Sequence, residues 1–192
     1  MNDTLLFKGH AVINSPVIDK NLPTNCKTMW SASGALVHDS LRRAYLDMVV
    51  AETTDGEVST DECYLMLAGR LPVVRNKRRV VGRNHLLTKH SLALDLFGCL
   101  AHSVDGRLKV GFLGLPDDMG KAHHSMRVVK SSDDDLSFIM NILNEWAKNL
   151  YLGDNSESGY GDVSFEWFVS KGLSDIGFIK IDNKGIETNI SF

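Results

Sequence analysis

The amphipathic run from Asp133 to Leu150 limits most strongly what this chain can become. Leu136, Ile139, Met140, Leu143, Trp146 and Leu150 recur at helical spacing. The acidic turn Asp133-Asp134-Asp135 stands at the N-terminal end, where the helix macrodipole favours negative charge. The spacing predicts a helix that must bury one face. A loop with three glycines follows, Gly153, Gly159 and Gly161, and then an alternating stretch from Val163 to Val169 that reads as a strand. Glycines there permit positive φ and a close approach of another backbone. Consecutive exposed N–H groups in such a loop make a concavity suited to phosphate oxygens.

The remaining punctuation supplies partners for the helix. Leu5 to Ile13 alternates and predicts a first strand, stopped by Asn14-Ser15-Pro16. Leu36, Val37, Leu41, Tyr45 and Met48 predict a helix over Gly34 to Val50, with Ser33 as its N-cap. Glu52 to Asp61 reads as a loop. Short strands at Tyr64–Leu67 and Val73-Val74 to Val80-Val81 would frame a basic tip. A short helix over His85 to Leu100 ends near Gly98, a strand covers Arg107 to Leu115, and a last strand covers Ile176 to Ile181. This order predicts an α+β fold: a mainly antiparallel, ferredoxin-like (RRM-like) sheet with two helices on one face. One domain spans 1–192, with an insertion over 52–90 that holds the basic hairpin. Nucleic-acid modules of this class use the open sheet face.

With 192 residues, 43% hydrophobic and 23% charged, the chain has the composition of a soluble globular protein. No apolar run approaches the ~18 residues that span a bilayer. Met1-Asn2-Asp3-Thr4 has neither a basic nor an apolar signal region, so a cytoplasmic location is expected. Cys26, Cys63 and Cys99 make no C-x-x-C pair, which predicts reduced thiols and no zinc site. The net charge of −3 hides an asymmetry. Between Arg70 and His90 stand Arg70, Arg75, Lys77, Arg78, Arg79, Arg83 and Lys89, with no acidic residue among them. Such a patch on a mildly acidic chain points to a polyanion bound at one place.

Several segments together resemble a known family. Asn14-Ser15-Pro16-Val17-Ile18-Asp19, then Ser33-Gly34 and a helix leading to Leu41-Arg42-Arg43, resemble the amino-terminal half of the RAMP superfamily. These are the RNA-binding subunits of CRISPR effector complexes, and the likeness is greatest to type III backbone subunits. Asp95-Leu96-Phe97-Gly98 is similar to the family's "L-F-G" segment. Tyr151-Leu152-Gly153 through Ser158-Gly159-Tyr160-Gly161-Asp162-Val163 is similar to its glycine-rich loop before a strand. There are departures. His38 stands where the family has lysine, a second glycine is absent from the helix start, and Asp162 replaces an arginine. The chain is also short between Pro116 and Asp133.

The resemblance implies binding: the glycine loop and helix start hold a guide RNA (crRNA) backbone, and a protruding hairpin interrupts its pairing with a complementary target. The implied RNA-binding residues are Ser33, His38, Arg42, Arg43, Arg75, Lys77, Arg78, Arg79, Arg83, Gly153, Ser158, Gly159, Tyr160 and Gly161. Arg42 and Arg43 would supply charge near the sheet surface, the glycines close phosphate approach, and Tyr160 a stacking ring. Other effector subunits, including copies of the same chain, are the implied partners; no cofactor, metal or membrane is implied.

Catalysis is not expected. Slicing members carry an aspartate where this chain has Asn14, and an amide neither acts as a general base nor holds a metal as a carboxylate does. Asp19 is the substitute candidate. His123-His124, read as part of a polar loop, offer an alternative: metal-independent cleavage of the guide RNA, as in the processing members of the superfamily. A subunit capping the guide's 5′ end is a further alternative.

Overall fold

The computed structural model describes residues 4–18, 28–29, 34–52, 92–99, 104–111, 113–114, 116–153 and 156–191. Its frame is a six-stranded antiparallel sheet in which the sequence-distant ends of the chain lie side by side. In chain order the elements are β1 (Leu5–Ile13), β2 (Val17–Ile18), β3 (Thr28–Met29), α1 (Gly34–Glu52), α2 (92–97), β4 (Gly98–Cys99), β5 (Val104–Asp105) and β6 (Leu108–Val110). Then come β7 (Lys121–Val128), α3 (Asp134–Ala147), β8 (Val163–Lys171), β9 (Ser174–Asp182) and β10 (Gly185–Thr188). The large sheet runs β10-β9-β8-β1-β7-β6; β2 pairs with β3, and β4 with β5. The four strands β8-β1-β7-β6, with α1 and α3 as crossovers, are the ferredoxin-like βαββαβ unit expected from the element order. β9 and β10 extend its edge.

Alternation explains which side of each strand is buried. Leu5, Phe7, Ala11 and Ile13 of β1, Met126 and Val128 of β7, Phe165 and Trp167 of β8, and Ile179 and Ile181 of β9 all point to the helices. Val37, Leu41 and Tyr45 of α1 and Ile139, Ile142, Leu143 and Trp146 of α3 close the core from the other side. Each such large side chain contributes on the order of 2–3 kcal/mol by leaving water. α3 is buried over a wider arc than its predicted stripe, because it packs against both α1 and the sheet; Phe138 and Ile142 join it inside.

Two strands of the large sheet escape the sequence reading, as do the short pairs β2-β3 and β4-β5. β7 stands where a polar loop was expected, because its inward residues include the small Ala122 and the polar His124, which disguise the period of two. β10 is a four-residue, polar edge strand with almost no hydrophobic signal. Other differences are at the ends. α3 stops at Ala147, and Leu150 is buried beyond it. The strand expected over 107–115 is regular only at Leu108–Val110, although the Gly111 and Gly114 N–H groups still reach the Ser125 and His123 carbonyls of β7, at 2.8 and 3.1 Å. The expected loop and hairpin of the 52–90 insertion lie outside the described residues, apart from Glu52 at the end of α1, as does the Ser33 cap.

A buried clasp ties the helices to the sheet. The Arg107 guanidinium donates to both carboxylate oxygens of fully buried Asp135, at 2.6 and 2.9 Å, and through Nε to Asp95 at 2.6 Å. The Ser132 N–H also donates to Asp135 at 2.8 Å. Burial pushes the Asp135 carboxyl up, but these hydrogen bonds and the guanidinium charge outweigh it and hold it below the usual carboxylate range.

Candidate nucleic-acid interface

The turn after β1 and the loop before β8 are sewn together at one end of the sheet. The Asn14 and Ser15 N–H groups both donate to the Asp162 carbonyl, at 2.9 and 3.3 Å. The Asp162 N–H returns a bond to Ser15 Oγ at 2.9 Å. The Gly161 N–H donates to the Pro16 carbonyl at 3.0 Å, and the Leu152 N–H to the Gly161 carbonyl at 2.9 Å. Ile18 forms a parallel bridge with Gly153.

This stitching changes what the glycines do. Gly153 and Gly161 take positive φ, 77° each, and a Cβ on them would strike the carbonyls of Ile18 and Leu152. Their small size serves the chain's own backbone. The amides of Gly159, Gly161 and Asp162 are likewise spent internally, Gly159 on the Ser156 carbonyl at 2.9 Å. These three amides are therefore not available to phosphate oxygens, and side chains at the rim add to the available chemistry. Gly159 differs from the other two: nothing lies within 4 Å of its would-be Cβ, so it faces open space.

A shallow cleft beside the loop is lined by Lys148, Tyr151, Ser156, Gly159, Tyr160 and Asp162, among others. Arg43, exposed on α1, donates through Nη1 to the Tyr151 hydroxyl at 3.1 Å and so reaches the cleft rim from another element. Lys148 is held by Glu145 at 2.6 Å. Asp47 of α1 belongs to the same neighbourhood: burial and then nearby Glu145 push its carboxyl up, while Arg43 offsets them. Ser158 is exposed and Tyr160 half-buried.

Other expected site residues take different places. Arg42 is buried, at 4% exposure, and not on the sheet surface. His38 packs edge-on against Phe97, with centroids 5.4 Å apart at 89°. Burial lowers its pKa despite the opposing charge of Asp39, so it is a neutral ring at pH 7 and not a substitute for a lysine cation. Asp19, Ser33, Arg75, Lys77, Arg78, Arg79 and Arg83 lie outside the described residues. Asn14 is exposed beside the stitched loop.

The histidine pair is split by its strand. His124 faces inward with no exposure, and its Nδ1 accepts a 2.9 Å bond from Trp167 Nε1. Burial, with a smaller push from the His123 charge, lowers its pKa to about 4. A sealed, neutral imidazole cannot exchange protons with a substrate, which removes it as a general acid or base. His123 is exposed on the open face, in register with His10. His10 lies 3.4 Å from Glu166. Tyr151 and Lys148 were absent from the sequence-based set of RNA contacts; no local signal pairs Tyr151 with Arg43, 108 residues away.

No protein-family model matches this chain, and no curated protein does. Among the described residues no helix is long and apolar enough to cross a membrane. Solved structures are similar. A chain of the type IV-B CRISPR complex aligns over 89% of this chain and 91% of its own, at 14% identity and a TM-score of 0.46. A chain in the crystal structure of the Csm3-Csm4 subcomplex of the type III-A CRISPR-Cas interference complex aligns over 100% of this chain and 90% of its own, at 11% identity and a TM-score of 0.50. This chain therefore shares its fold with a protein of a type III-A CRISPR-Cas interference complex.

Proposed function

We propose that this chain is a guide-RNA-binding subunit of a CRISPR ribonucleoprotein effector complex, holding the guide backbone for pairing with a complementary target. One observation carries the reading: the Asn14–Ile18 turn and the 152–162 loop, the two segments most like RAMP motifs, are hydrogen-bonded into one unit. Arg43 and Lys148 stand at its rim with Tyr151 and Tyr160. The fold shared with the Csm3-Csm4 subcomplex supports it, and suggests other effector subunits, including copies of this chain, as partners. Cations and a ring suit a phosphate backbone and its bases. The basic residues Arg75, Lys77, Arg78, Arg79 and Arg83 would add salt-dependent grip. Asn14 in the slicing position makes this a subunit that holds RNA without cutting it.

The protein, purified at low salt, should carry a short RNA, seen as an absorbance ratio far above that of protein alone. Arg43→Ala and Tyr160→Ala should reduce the RNA retained. Nucleic-acid-free protein that shifts no guide RNA at low salt would sink the proposal. Metal-dependent cleavage of a paired target would overturn its non-slicing part.

A further inference from the structure

The open face of the sheet, turned away from α1 and α3, has a chemistry that the stitched loop does not use. Outward positions follow from register. β1 presents Leu6, Lys8, His10 and Val12; β7 presents Lys121, His123, Ser125 and Arg127; β6 presents Lys109. These three strands place four cations and two imidazoles outward and no carboxylate. Lys109 meets Asp105 at 3.1 Å, whereas among the described residues Lys8, Lys121 and Arg127, all exposed, are in no ion pair. The carboxylates of the face, Glu166, Asp175, Asp182 and Glu187, stand on β8, β9 and β10, where Glu166 lies opposite both Lys180 and His10.

Aromatic surface adjoins the cations. Phe168, 67% exposed, is directly opposite Lys8 on one side and Phe178 on the other. Exposed Phe168 beside half-buried Phe178 gains nothing from water, and neighbouring strands only ~4.8 Å apart place both rings within reach of one nucleotide step beside the lysine.

We infer that this open face binds single-stranded nucleic acid, with phosphates along β1 and β7 and bases stacked on Phe168 and Phe178. The charge pattern selects this occupant. A second copy docked with β1, β7 and β6 against their own counterparts would set cation against cation, and a duplex would hide its bases from the rings. The surface is separate from the loop end, and the inference goes beyond the proposed guide-binding role.

The test uses nucleic-acid-free protein and a fluorescent oligouridylate of about 15 nucleotides, followed by anisotropy over a salt series. Phe168→Ala with Phe178→Ala should weaken binding roughly tenfold or more and keep the salt slope. Lys8→Ala with Arg127→Ala should lower the slope of log K against log salt by about 1 to 1.5. All four side chains lie on the outer face, and unchanged melting of the variants confirms folding. Affinity and slope untouched by both pairs overturn the inference. So does loss of self-association, or of binding to a protein partner, with oligouridylate binding intact. If Arg43→Ala and Tyr160→Ala abolish guide retention while the face variants bind oligouridylate normally, the face inference fails and the proposed function stands. The reverse pattern separates them the other way.

Discussion

His123 and His124 are neighbours in the chain and opposites in chemistry. One is exposed among cations on the open side of β7; the other is sealed against Trp167 and Phe165 on the core side, with ring centroids 5.7 and 5.2 Å away. Trp167 and Phe168 repeat the contrast on β8, one buried and one 67% exposed. A strand sends successive side chains to opposite faces, so residue type alone does not say whether a histidine or an aromatic ring is core or site. The face decides.

The largest expected effects fall on the inner side. Trp167→Ala should lower unfolding free energy by roughly 3–5 kcal/mol, since it opens a cavity and leaves His124 without its donor. Phe168→Ala, one residue on, should stay within about 0.5 kcal/mol in the same urea titration. Equal losses would break the contrast between the faces. The clasp under the helices belongs to the inner class: Arg107→Ala leaves the Asp135 charge buried without its cation, with the Ser132 N–H still donating to it, and should cost roughly 3–5 kcal/mol.

A pH titration sharpens the contrast next. Folded His124 is held at about 4, below its ordinary 6.5. As pH falls through 6.5 the unfolded chain binds a proton that the folded chain refuses until about 4. Stability is therefore undiminished by this group above pH 6.5 and declines toward pH 4, by about 3 kcal/mol across the window. His124→Gln should flatten that part of the profile, and His123→Gln, which removes only the smaller contribution to the lowering, should leave most of it in place. A slope that follows His123 instead would reverse the assignment of faces.

Smallest in scale is the comparison inside the loop. Gly161→Ala meets both a positive φ and the Leu152 carbonyl, whereas Gly159→Ala meets only the φ of 80°. The second should cost about 1–2 kcal/mol in thermal melts, and the first clearly more. Equal costs would mean that the stitched backbone gives way to a methyl group, and that the loop amides are more available to a ligand than the hydrogen bonds indicate.

Periodicity was a good guide wherever large apolar residues marked the inner face, as at Leu5–Ile13, α3 and Val163–Lys171. It failed at Lys121–Val128, where alanine and histidine hold inner positions. The motif segments were legible as segments, but not the way their amides are used. The glycines signalled a special backbone; that Gly153 makes room for the Ile18 carbonyl, and that the Gly161 N–H reaches the Pro16 carbonyl, depends on contacts across more than 130 residues.

By itself the sequence determined the βαββαβ framework apart from β7, the stitched loop's glycines and the asparagine at its edge, because local spacing and turn chemistry act over a few residues. Only the tertiary structure decided that the amides of Gly159, Gly161 and Asp162 are already bonded, that Arg42 and His124 are buried, and that Arg43 reaches Tyr151. It also set Lys8, Phe168 and Phe178 side by side on an open face. The physical reason is register: hydrogen bonding between distant strands chooses each side chain's neighbours, and no local pattern encodes that choice.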